Sequence, residues 1–187
     1  MCQHLVHFYE DDYPADRVAE FFAAGLDAGD RCVALLTAAH RHAVEKCLQA
    51  RGVGLESAAY VAVDTDVALS QMLVDGRLDT RRAVELLTPL MKSPVRKGRV
   101  RAAGDLAPTL LAAGNIDDAL AFEALVHRIT KEHGASTFCV YPIDPHRDGG
   151  LHAMLRHTAE HGAIGLPHGK WLRFPGAAVP AKADRPS

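Results

Sequence analysis

Short apolar runs alternate along this chain with stretches whose apolar residues recur at helical spacing. That alternation restricts the fold more than any other feature of the sequence. Five runs read as strands: Leu5 to Glu10, Arg31 to Ala38, Ala58 to Asp64, Gly98 to Asp105 and Ser136 to Asp144. Between them, helices are predicted over Ala15 to Gly29, His40 to Gly52, Asp66 to Gly76, Asp79 to Ser93 and Leu106 to Gly114, with a long one from Ile116 to Gly134. Gly29 and Gly52 stand where a left-handed cap closes a helix. Asn115 is placed to cap the long helix, whose first turn carries Asp117 and Asp118. The connections are too long for hairpins, so the economical solution is a parallel sheet with helices on both faces. We therefore expect an α/β fold, a three-layer sandwich with a mainly parallel sheet. A further helix is expected over Leu151 to Gly162, and the stretch from Pro175 reads as a frayed tail.

Composition narrows the functional classes. The 187 residues suit one domain with a tail, and 48% hydrophobic against 24% charged residues permits a packed core. The net charge of −2 and pI of 6.6 argue against a dedicated nucleic-acid binder. The basic run from Lys92 to Arg101 reads as a solvated loop. Cys2, Cys32, Cys47 and Cys139 form no C-x-x-C pair, and Cys32 and Cys139 sit in apolar runs as buried thiols. No apolar core follows a basic start, and no stretch approaches the roughly 20 residues that span a bilayer. A reduced, cytoplasmic protein with no membrane contact is expected.

The turn after the first strand carries Glu10, Asp11 and Asp12. In many α/β proteins a phosphate is held there, which requires glycines and a lysine. None lies between Tyr9 and Val18, and three carboxylates repel a triphosphate. P-loop ATP hydrolysis is not expected. In open α/β sheets ligands bind beyond the carboxyl ends of the strands. Those ends offer Tyr9, Glu10, Asp11 and Asp12; Thr37 and His40; Asp64; Gly104 and Asp105; and Tyr141 and Asp144. The set reads as a polar, ligand-binding rim. Taken singly, each acid reads as a helix cap, as Asp11 or Asp12 would be for the first helix.

The histidines divide into three groups. His4 and His7 point to opposite faces of the first strand, so they make poor joint metal ligands. His40 and His42, at a helix start, read as surface residues. His157 and His161 in "HTAEH" fit H-x-x-E-H, the reversed zinc-protease motif. That reading lacks a clear third protein ligand, so His157 and His161 are weak metal candidates. Glu123 lies on the long helix on the face of Ile116 and Leu120, either paired with Arg101 or facing solvent. Cys139, inside an apolar strand, reads as unreactive, and no catalytic residue or cofactor is indicated.

Two blocks carry a family resemblance. "HLVHFYEDD" with "AAGLDAGDRCVALLTAAHRHAVEKCLQARGV", and later "RVRAAGDLAPTLLAAGNIDDALAFEALVHRITKEHGASTFCVYP", are similar to the MEDS domain, the sensory domain of methanogens, methylotrophs and DcmR. The match runs over about residues 2 to 145. Asp105 stands where the family more often has Glu, and Ala102-Ala103 replaces bulkier residues. The resemblance implies a RecA/KaiC-like fold without a P-loop, used to sense small organic molecules, including hydrocarbon derivatives. It implies a sensory domain over 1–145, and the residues beyond it read as a packed C-terminal helix and loop over 146–174 and a flexible tail over 175–187. His4 matches the family's recurrent histidine, and Arg101, Asp105 and Glu123 fall in its motif blocks.

The leading expectation is a stand-alone, non-catalytic sensor. It would bind a small organic ligand through His4, Tyr9, Glu10, Asp11, Asp12, Arg101, Asp105, Glu123 and Tyr141. Signalling would pass by contact to a regulatory protein such as a kinase, an anti-sigma factor or a transcription regulator, without direct DNA binding, and self-association into a homodimer stays open. The alternatives are an interaction protein of degenerate RecA/KaiC type with no ligand, and a metal-dependent hydrolase using the histidine-rich end.

Overall fold

The computed structural model describes residues 4–56, 58–93, 98–143, 163–165 and 171–173. The predicted alternation is present. β1 (His4–Tyr9), β2 (Arg31–Leu36), β3 (Tyr60–Asp64), β6 (Val100–Gly104) and β7 (Ser136–Pro142) form the centre of the sheet. They pair in parallel in the order β3-β2-β6-β7-β1. The stretch expected to be a loop also supplies β8 (Ala163–Gly165), parallel to β1, and β9 (Trp171–Arg173), antiparallel to β8. The helix expected over Leu151 to Gly162, the tail from Pro175, Asp144, and His157 with His161 lie outside the described residues.

Among the described residues, two helices cover one face and four the other. α1 (Ala15–Asp27) and α2 (Ala38–Ala50) pack Val18, Phe21, Phe22, Val44 and Leu48 against Leu5, Ala34, Leu36, Phe138 and Val140. On the opposite face α3 (Thr65–Met72), α4 (Thr80–Met91), α5 (Leu106–Ala112) and α6 (Ile116–His133) pack against Val6, Phe8, Val33, Leu35 and Ala102. The strands therefore bury both faces, which is why they read as continuous apolar runs. The result is a three-layer α/β sandwich.

Several local readings are corrected or refined. The helix expected to run from Asp66 to Gly76 stops at Met72, and a short hairpin follows, β4 (Leu73–Val74) and β5 (Arg77–Leu78). Its turn, Asp75-Gly76, has φ of 50° and 75°, the paired left-handed conformation that an Asp-Gly dipeptide favours. Asp118 lies in the first turn of α6, as expected, and is in addition buried. It accepts two bonds from Arg77, at 2.9 and 3.0 Å, and one from the Leu78 amide, pinning the hairpin to α6. Asn115 stands at the start of α6, but its side chain makes no capping bond. Asp11 and Asp12 do not cap α1 either; they are exposed, and Pro14 occupies the cap position.

Arg101 does not belong to a solvated basic loop. It turns under α1, donates to Asp30 at 2.9 Å and to the Phe21 carbonyl at 3.2 Å, and lies over the Phe21 ring. Gly25 makes room for it, because a Cβ there would stand 2.6 Å from the Arg101 Cδ.

Candidate functional site

The topology selects one crevice. From β2 the chain crosses over α2 to β3 at the sheet edge; from β6 it crosses over α5 and α6 in the other direction to β7. The carboxyl ends of β2 and β6 thus part from each other, which is where open α/β sheets bind ligands. Asp105 sits at that point, only 3% exposed. Its Oδ2 accepts from the Thr37 amide at 2.9 Å and meets His40 Nδ1 at 2.8 Å. Its own amide donates to the Leu35 carbonyl at 2.9 Å. Gly104 permits this closeness, since a Cβ there would lie 3.3 Å from that carbonyl oxygen.

An aromatic stack extends the crevice. The Tyr13 ring lies flat on His40, with centroids 3.7 Å apart, and Tyr9 meets Tyr13 edge to face. Burial, with the Asp105 carboxylate second, pushes the Tyr9 phenol above its usual range. His40, expected at the surface, is half-buried, whereas His42 is exposed. The Asp105–His40 pair resembles a base with its orienting acid. The His40 side chain meets Asp105 on one side and stacks on the Tyr13 ring, and its amide donates to the Thr37 hydroxyl at 3.4 Å.

Other members of the expected rim go elsewhere. Glu10, Asp11 and Asp12 are exposed. Asp64 caps α3 by accepting from the Asp66 and Val67 amides, and Thr37 caps α2. Arg101 lies near the amino end of β6, paired with Asp30 and not with Glu123. Tyr141 is turned away from the crevice and buried under α6.

Tyr141 belongs instead to a second polar group, inside the α3–α6 layer. His4, Val6 and Phe8 alternate onto the α6 face of β1, as Thr137, Cys139 and Tyr141 do on neighbouring β7. Opposite them α6 presents Glu123 and, one turn later, His127. Glu123 is 5% exposed and accepts a short hydrogen bond from the Tyr141 hydroxyl. Its Oε2 lies 3.7 Å from His4 Nε2 and 3.9 Å from Cys139 Sγ. Cys139 Sγ is 3.4 Å from the same His4 nitrogen, and His4 Nδ1 is 3.2 Å from His127 Nδ1. Burial pushes the Glu123 carboxyl up to about 7, against the opposing pull of the Tyr141 and Cys139 hydrogen bonds. Burial also holds the Cys139 thiol and the Tyr141 phenol well above their usual ranges.

A cavity of about 30 Å³ adjoins this group. Its wall is apolar over Leu35, Leu87, Met91, Leu106, Phe122 and Val126, and polar where Glu123, Thr137 and Cys139 meet. Ala102, Gly104 and Ala107 leave the space by being small. Thr137 is 3% exposed, and its hydroxyl has no hydrogen-bond partner among the described residues. Sequence reasoning reached His4, Glu123 and Tyr141 but missed Thr137 and the part Cys139 plays. The alternation of β7 carries that signal, because it aligns 137, 139 and 141 on one face.

The family model for the methanogen/methylotroph, DcmR sensory domain matches residues 3–158. The chain belongs to the MEDS family. The match takes in β1 to β7, α1 to α6 and the buried polar group, and it makes a sensory, regulatory role the functional class of this MEDS domain. No curated protein matches the chain. Among the described residues no helix is long and apolar enough to cross a membrane.

Proposed function

We propose that this MEDS domain is a non-catalytic sensor whose ligand enters the cavity between the sheet and α4–α6. The crevice at the strand ends is then a brace and not the binding site. The observation that supports this is Thr137, whose buried hydroxyl has no hydrogen-bond partner among the described residues and which lines a largely apolar space. An unpaired buried hydroxyl costs about 1–3 kcal/mol. A ligand with one polar atom and a small apolar body recovers that cost. A volume of 30 Å³ has room for about two water-sized groups, which favours the smallest organic molecules. Binding would be read out by a regulatory protein that senses how α4, α5 and α6 pack on the sheet.

The test is a thermal-shift screen of the chelated protein against one- to three-carbon alcohols, aldehydes and halides. A stabilising shift is expected. Thr137→Val should weaken it while raising the stability of the free protein by about 1 kcal/mol, because an unpaired hydroxyl is replaced by a methyl of similar shape. Ala107→Leu, which fills the cavity, should abolish the shift. A shift that survives Ala107→Leu would place the ligand elsewhere, and no shift with any compound would favour an interaction protein without a ligand.

A further inference from the structure

His4, Glu123 and Cys139 come from three separate elements, the start of β1, the second turn of α6 and the middle of β7, and bring one donor atom each to a common point. His4 Nε2, Cys139 Sγ and Glu123 Oε2 form a triangle with sides of 3.4, 3.7 and 3.9 Å. Tetrahedral zinc with one nitrogen, one sulfur and one oxygen ligand separates those donors by about 3.3–3.6 Å. The circle through the three atoms has a radius of about 2.1 Å, against bonds of about 2.0–2.3 Å to these ligand types. The side chains stand at coordinating distance with the centre empty.

The surroundings match what a bound ion requires. A ligating histidine is normally oriented through its other ring nitrogen, and His4 Nδ1 faces His127 Nδ1 at 3.2 Å. A ligating carboxylate is normally held by its second oxygen, and Tyr141 donates to Glu123 Oε1, leaving Oε2 for the centre. A thiolate and a carboxylate neutralise a dication, so the assembled site buries no net charge. Imidazole, thiolate and carboxylate together suit zinc better than magnesium or calcium, which take oxygen ligands.

We propose that His4, Glu123 and Cys139 hold a zinc ion whose fourth position opens on the cavity. Glu123 and Cys139 belong to both the triangle and the cavity wall, and Thr137 lines the same space. A three-ligand site leaves one position for a water or an exogenous donor. Binding releases the Cys139 thiol proton and any proton on Glu123 to solvent; no bond to carbon changes and no electron moves. The inference rests on the cavity reading above in one respect only, that the fourth ligand is the sensed molecule. The metal site itself stands apart from it.

The experiment uses the full chain without a purification tag, reduced and anaerobic, with Co²⁺ as the spectroscopic stand-in for zinc and no organic compound present. One equivalent of Co²⁺ should give a sulfur-to-cobalt charge-transfer band and strong tetrahedral visible bands, both displaced by Zn²⁺. Cys139→Ser should remove the charge-transfer band. Glu123→Gln, which keeps an acceptor for Tyr141, should weaken zinc at least tenfold in competition with a chromophoric chelator, and His4→Gln likewise. Circular dichroism and the thermal midpoint of each metal-free variant show whether it is folded; if Cys139→Ser does not fold, the Glu123→Gln titration decides. Cobalt without a charge-transfer band, a band that survives Cys139→Ser, or zinc affinity unchanged in Glu123→Gln each overturns the site. The screen of chelated protein is read separately, so a failed metal site leaves the cavity reading standing. A metal that binds while no compound shifts the chelated or zinc-loaded protein sinks only the cavity reading.

Discussion

Two of the buried carboxylates, Asp105 at the carboxyl edge of the sheet and Glu123 on the inner face of α6, differ in the kind of partner they have. Asp105 faces a backbone amide that the end of β2 fixes in place, and an imidazole held by a stacked ring. Glu123 faces a phenol, a thiol and an imidazole, all side chains, in a layer that is otherwise apolar. An acid with a main-chain donor stitches one strand end to the next helix. An acid ringed by side chains that themselves titrate or coordinate is held less firmly as an anion, and burial shows in its raised pKa. Under the function proposed above, the first is a brace and the second belongs to the site, although both residues are almost fully hidden from solvent.

The largest effect that sharpens this contrast is a pH dependence. Glu123 binds its proton more tightly folded, at about 7, than unfolded, at 4.5. Its contribution is therefore fully present below pH 4.5 and is lost as pH rises through 7. In the metal-free protein that loss is about 3 kcal/mol. Glu123→Gln carries no such proton. Urea unfolding with chelator at a series of pH values should show the wild type falling relative to the variant by that amount between pH 4.5 and 8. A constant difference would mean that Glu123 is not destabilised by its burial.

Asp105→Ala comes next. It strips the Thr37 amide and His40 of their shared acceptor and should cost about 2 kcal/mol at pH 7. Asp105→Asn keeps one acceptor and should cost about half of that. Both variants should retain the response of the chelated protein to small organic compounds, because Asp105 does not touch the cavity. A variant that folds but has lost that response would make the crevice a binding site after all.

Much of this was legible in the sequence, and what was missed has physical reasons. The five central strands follow from apolar runs buried on both faces, and Asp105 follows from its place after β6. Tyr141 was assigned to the wrong place because the end of a strand fixes position along the sheet but not the face, and β7 alternates it inward. Glu123 could not be paired from spacing, since its partners lie on β1 and β7, far from it in the chain. The Asp75-Gly76 hairpin was hidden because the helical pattern on either side can be drawn straight through it. Thr137 carries no motif at all; only the loss of its hydrogen-bond partner on packing makes it stand out.

The smallest effect decides most cleanly between the two regions. Tyr13 has a hydroxyl buried without a hydrogen-bond partner among the described residues, as Thr137 has. One unpaired hydroxyl lies in the crevice and the other on the cavity wall. Tyr13→Phe keeps the ring stacked on His40 and removes only the oxygen, so the variant should be as stable as the wild type or more so, by up to about 1 kcal/mol. Thr137→Val should give a similar gain, so stability alone does not distinguish them. Ligand response does. If the cavity is the site, the phenylalanine variant keeps the thermal shift given by small alcohols, aldehydes and halides, and the valine variant loses most of it. If the shift is lost at Tyr13 and kept at Thr137, the roles of the two buried acids are reversed: Asp105 then stands at the binding site and Glu123 is the brace.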